Sequence, residues 1–182
     1  MRRARGGGLW QTAAVPLGRD QIRTAFERLD QELRRRGVRA ECYVVGGAVL
    51  CVALNARPST KDVDAWFSEP AAVRAAAAVV AEELDLPADW LNDAAKAFVP
   101  ANAGFERWLS LPNLDVSVAD ARTLLAMKCA AARTKEDTGD IQFLAAHLGL
   151  RSAREVLAVV LAYYPEERLP LRARLLLEEL FP

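Results

Sequence analysis

Apolar positions recur along this chain with two periods, and they predict helices interleaved with strands. Ile22, Phe26, Leu29 and Leu33 follow one another at spacings of four, three and four, which predicts one face of a helix over 19–37, ended by Gly37. Residues 40–45, Ala-Glu-Cys-Tyr-Val-Val, are rich in β-formers and predict a strand. Gly46-Gly47 follows, then a short helix over 48–54. Arg57-Pro58-Ser59 breaks that pattern, because proline fixes φ and removes a donor. Residues 62–67 read as a second strand, and Ser68 is placed to cap an Ala-rich helix with Pro70 in its first turn and its end near Leu84.

Beyond that point, 88–97 reads as a short helix closed by Pro100. Strands are expected at 105–110 and 114–118, joined by a Pro112-Asn113 turn. Asp120 is expected to cap a helix over 121–133, and another helix to run over 137–148 and stop at Gly149. Ser152 and Glu155 have the spacing of a capping box for a helix that ends before Pro165, and a last amphipathic helix covers 169–180. The order predicts an α+β domain with a helical C-terminal part. Residues 1–17 lack periodicity and read as a flexible tail, 18–148 as the main domain, and 149–182 as helices packed on the same domain.

Composition narrows the chemistry. The chain has 182 residues, 52% of them apolar, enough for a real core. Lys plus Arg and Asp plus Glu are 24 each, so no global charge pulls the protein toward nucleic acid or an anionic membrane. The three cysteines, Cys42, Cys51 and Cys129, form no Cys-x-x-Cys pair and sit among apolar residues, which points to a reducing compartment. No apolar stretch follows the basic N-terminus and none is long enough to span a membrane, so the expectation is a cytoplasmic protein with no membrane partner. His147 is the single histidine and sits at the end of a helical pattern, where a cation serves the last carbonyls. Any triad or His-rich zinc site would have to use it. Trp66, Trp90 and Trp108 are read as core or edge packing, and the 89–93 run as a capped surface helix in preference to the lining of a cleft.

The sharpest local signal is Thr60-Lys61-Asp62-Val63-Asp64-Ala65-Trp66-Phe67. Alternation on a strand puts Asp62 and Asp64 on one face, their Cα atoms roughly 6.5–7 Å apart. Two such carboxylates repel, and a divalent cation relieves that repulsion; a solvated edge strand would carry the same pair. Val44-Val45-Gly46-Gly47 is the second signal, a glycine pair that lets a ligand approach the backbone or simply makes a tight turn. Gly47 and Asp62 are 15 positions apart with one short helix between, which brings a phosphate grip beside a metal grip.

At these residues the chain resembles the nucleotidyltransferase, or polymerase-beta-like, superfamily. Tyr43-Val44-Val45-Gly46-Gly47 and Arg57-Pro58-Ser59-Thr60-Lys61-Asp62-Val63-Asp64 are similar to the bacterial AbiEii-type toxin nucleotidyltransferases and their uncharacterised relatives. The likeness extends over about residues 40–148. It implies a small mixed sheet flanked by helices, and transfer of a nucleoside monophosphate from an NTP to an acceptor hydroxyl. Mg2+ or Mn2+ would be held by Asp62 and Asp64, and Gly46, Gly47, Arg57, Ser59, Thr60 and Lys61 would line the nucleotide. Acceptors implied are tRNA, a protein or a small molecule, with a cognate antitoxin as a further partner. Lys128 shares a helix face with Leu124 and Leu125, where a lysine snorkels or finds an anion; the likeness places it near the phosphates, with Lys135, Asp137 and Asp140 in the same cleft. Active members usually carry a third carboxylate on a later strand, and Asp115, alternating with Ser117, is the candidate; Asp137 and Asp140 are the substitutes. Catalytic roles thus fall to Asp62, Asp64, Asp115, Lys128 and Asp137. A chain without the third carboxylate would be a nucleotide-binding regulator or interaction module.

Overall fold

A computed structural model describes residues 16–133 and 137–182. In chain order it contains β1 (Leu17–Gly18), α1 (Arg19–Arg35), β2 (Ala40–Val45), α2 (Gly47–Val52), β3 (Ser59–Thr60), β4 (Val63–Phe67), α3 (Pro70–Glu83), β5 (Leu91–Asn92), β6 (Phe105–Ser110), β7 (Leu114–Ala119), α4 (Ala121–Ala131), α5 (Thr138–His147), α6 (Ala153–Leu161) and α7 (Leu171–Leu180). The class is α+β. Five strands form one mixed sheet in the order β5-β4-β2-β7-β6. Strand β2 pairs antiparallel with β4 and parallel with β7, β5 runs parallel to β4, and β6 runs antiparallel to β7 with a bulge between Arg107 and Leu109.

Alternation gives this sheet two unlike faces. Cys42, Val44, Val63, Ala65, Phe67, Leu114, Val116 and Val118 are buried on one of them. Helix α1 covers it with Ile22, Phe26, Leu29 and Leu33, the four residues of the helical stripe, all buried. The Phe26 ring meets Trp90 and Trp108 edge-on at 5.8 and 6.0 Å. Gly37, at φ 66°, closes α1 in a Schellman arrangement: its N–H donates to the Arg34 carbonyl, and Val38 N–H donates to that of Leu33. The opposite face carries Glu41, Tyr43, Trp66, Asp115 and Ser117, which are exposed or half-buried. Tyr43 stacks on Trp66 at 4.8 Å there. The last four helices pack chiefly on one another, and one cluster of buried side chains joins them to the rest, from Leu17 to Leu177.

Several local expectations change. Leu17, placed in the tail by its sequence, is buried and pairs with Thr60; residues 1–15 lie outside the described residues. Ser68 does not cap α3: its Oγ accepts the Glu41 N–H, and the cap position falls to Glu69 in the left-handed region. The 88–97 segment is not a helix but β5 followed by a 3-10 turn over Ala94–Phe98. The edge of β4 offers unpaired backbone groups, which outweigh a weak helical pattern, and Trp90 drops into the core with its Nε1 donating to the Ala77 carbonyl. Asp120 does cap α4 through the Thr123 N–H, and the Ser152–Glu155 capping box is present. His147 lies in the last turn of α5 with its ring stacked on Phe143.

Candidate functional site

The site lies where β2 ends and β4 begins. Because β2 and β4 are antiparallel, Asp64 pairs with Val45, the last residue before Gly46. Gly46 adopts φ 70°, ψ −147°, a conformation essentially reserved for glycine. A Cβ there would stand 3.2 Å from Asp64 Oδ2. A Cβ on Gly47 would meet Thr60 Oγ1 at 2.9 Å and Arg57 Nη1 at 3.2 Å. Both glycines are therefore required by close packing of Asp64, Thr60 and Arg57 against the start of α2. Thr60 is buried and its hydroxyl donates to the Asp62 carbonyl at 3.1 Å, which orients the turn into β4.

The Asp64 carboxyl is pushed above its ordinary value, first by burial and then by the Asp62 charge, while Arg133 and Lys128 pull it back. Asp64 makes no hydrogen bond or ion pair to a described residue. Its carboxylate is thus partly buried beside a second anion, with no direct partner among the described residues. That is the condition a divalent cation relieves. No group of three or more His, Cys, Asp or Glu suited to a metal occurs among the described residues. Magnesium is commonly held by one or two carboxylates plus substrate phosphates and water, so the Asp62–Asp64 pair fits that ion and does not fit a closed protein cage.

Near the acidic pair, α4 and α5 bring a network of charge. Lys128 Nζ lies 2.6 Å from Asp137 Oδ1 and 2.8 Å from Asp140 Oδ2. Arg57 reaches from the loop before β3 to Asp140 Oδ1. The Arg133 N–H donates to Asp137 Oδ2 at 3.3 Å. Lys128, expected either to snorkel or to find an anion, is tied to two carboxylates of its own chain.

Asp62, Asp64, Gly46, Gly47, Arg57, Thr60, Lys128, Asp137 and Asp140 thus converge. Ser59 lies in β3 paired with Gly18, and Lys61 is exposed at the turn. Lys135 lies outside the described residues.

Asp115 does not join them. It is the second residue of β7 and lies opposite Glu41, four residues back along β2 from Val45, or about 13 Å along the strand. Arg39 Nη2 at 2.9 Å and Ser110 Oγ at 2.7 Å hold its carboxylate, which lies below the usual range for that reason. The expected third carboxylate is at the wrong end of the sheet, because β7 runs parallel to β2 and enters from the end far from the site.

Two residues at the site are not among those the sequence singles out for it. Asn92, on β5 beside Asp64, points its Nδ2 at Asp62 Oδ2 at 3.4 Å. Arg133 bears on Asp64 from the end of α4. A two-residue strand has no periodicity to detect, and Arg133 enters the sequence pattern only as the first residue of the Lys/Arg-rich stretch that holds Lys135, Asp137 and Asp140.

No family model, no curated protein and no solved structure matches this chain. Among the described residues, no helix is long and apolar enough to cross a membrane.

Proposed function

We propose that this protein is a nucleotidyltransferase of the polymerase-beta-like type, transferring NMP from an NTP to an acceptor hydroxyl. The observation that carries the reading is the Asp62–Asp64 pair, with the Asp64 carboxyl partly buried beside the Asp62 charge and without a hydrogen-bonded partner among the described residues, set against glycine backbone and within reach of the Lys128 and Arg133 charges. Asp62 and Asp64 would hold a divalent cation, Mg2+ or Mn2+, which when bound supplies charge neutralisation at the transferring phosphoryl group. Gly46 and Gly47 let Asp64, Thr60 and Arg57 pack against the start of α2, which sets the metal-holding and phosphate-facing side chains side by side. Asn92 and Thr60 fix the Asp62 segment, and the Lys128–Asp137–Asp140–Arg57 network fixes the opposite wall. Catalysis by such a site is mainly positioning and charge stabilisation. A tRNA, a protein or a small molecule is the acceptor, and control by a cognate antitoxin belongs to the same reading.

A specific observation favours a second reading, a nucleotide-binding regulator that does not transfer. Asp115 is remote, and both substitutes are held in ion pairs, Asp137 with Lys128 and Asp140 with Lys128 and Arg57. One experiment separates the two. Each of the four α-labelled NTPs is incubated with Mg2+, pooled cellular RNA and protein, and either wild type or Asp64→Ala. Label entering a macromolecule with wild type alone supports transfer. Absence of label, with an NTP-dependent thermal shift retained, establishes the regulator. Full transfer by Asp64→Ala would sink the assignment of the acidic pair.

A further inference from the structure

On the outer side of Arg57 lies a concavity of about 380 Å3 that the acidic site does not use. Arg19, Cys51, Asn55, Ala56, Arg57 and Pro58 line it. Two of the six carry guanidinium groups and none carries a carboxylate, in a chain whose overall charge is zero. The volume is that of a small-molecule site and holds roughly a dozen waters.

The arginines arrive from different elements. Gly18 pairs with Ser59, and this short β1–β3 ribbon sets Arg19, at the start of α1, over the 55–58 loop. Asn55 sits at φ 51°, in the left-handed region that asparagine tolerates, and its Oδ1 accepts from Arg19 Nη1 at 3.0 Å. Arg57 directs Nη2 to Asp140. A guanidinium has five N–H donors, so each arginine keeps donors for a ligand. Both cations also act on the buried Cys51 thiol: burial raises its pKa and the two arginines lower it.

We propose that this concavity binds a multiply charged phosphoryl anion, with Arg19 and Arg57 as its clamp and Asn55 holding Arg19 in place. Fork-shaped guanidiniums bond paired phosphate oxygens, and Arg57 links the pocket to Gly47 and to the acidic site. Arg57 is shared with the nucleotide reading; Arg19 and Asn55 belong to no role assigned above.

The probe is inorganic pyrophosphate, titrated calorimetrically into the full chain at low ionic strength without metal or nucleotide. Its outcome therefore does not depend on transfer activity. One pyrophosphate per chain is expected. Arg19→Gln should weaken binding by about tenfold or more, as loss of charge-assisted hydrogen bonds does. Arg19→Lys should lose less, and Arg74→Gln, on α3 outside the pocket, nothing. Asn55→Gly, which keeps the left-handed backbone and removes the amide, should also weaken binding and serves if Arg19→Gln misfolds. Repeating the titration with saturating NTP identifies the source of the anion. Competition shows that the pocket takes the nucleotide's own phosphates, and simultaneous binding shows that it takes a separate phosphate group. Equal affinities for wild type, Arg19→Gln and Asn55→Gly, or no binding to wild type at millimolar pyrophosphate, overturn the proposal.

Discussion

Replacing Lys128 by methionine tests the charge network that walls the site. Methionine keeps most of the apolar stem and removes the ammonium, so the change isolates charge from packing. The side chains are 16% exposed for Lys128, 3% for Asp137 and 11% for Asp140, so solvent screens them weakly. Removing one partner of a buried pair costs about 3–5 kcal/mol, because the remaining charge stays buried. Here Arg57 still faces Asp140 and the Arg133 N–H still bonds Asp137, which places Lys128→Met near the lower end, at about 3 kcal/mol. With a urea slope of about 2 kcal/mol per molar, the unfolding midpoint should fall by about 1.5 M, read by circular dichroism. A double-mutant cycle with Asp137→Asn should give a coupling of at least about 1 kcal/mol. A midpoint within about 0.3 M of wild type would refute the reasoning. Lys128 would then be a solvated lysine, free to hold a substrate phosphate.

Two further predictions concern pH. Asp64 binds its proton more tightly in the folded protein than in the unfolded chain, through burial and then the Asp62 charge. Stability therefore falls as pH rises from about 3.9 through the raised folded value, and Asp64→Asn should melt above wild type at pH 7 with the gap closing in acid. A lower melting temperature for Asp64→Asn at pH 7 would contradict the desolvated pair. Asp115 is the reverse case: Ser110 and Arg39 lower its pKa, so its contribution is present above the ordinary carboxyl range and disappears as pH falls through the lowered value. Asp115→Asn should melt below wild type at neutral pH, match it in strong acid, and leave nucleotide transfer unchanged. A loss of transfer would return Asp115 to the site.

Local pattern alone determined the elements whose period or cap is strong. The α1 stripe, the β2 and β4 cores, the Asp120 cap and the Ser152–Glu155 box each depend on residues within one or two turns, so the sequence carries all the information needed. The same holds for the juxtaposition of Gly46-Gly47 with Asp62 and Asp64, since one short helix leaves β4 little choice but to return beside β2. What only the tertiary structure decided depends on partners distant in sequence. Residues 88–97 became strand and turn because β4 had an open edge. Asp115 left the site because strand direction, which no spacing encodes, set β7 parallel to β2. Lys128 found carboxylates nine and twelve positions away, and Arg57 found one 83 positions away, through helix packing that a one-dimensional pattern does not contain.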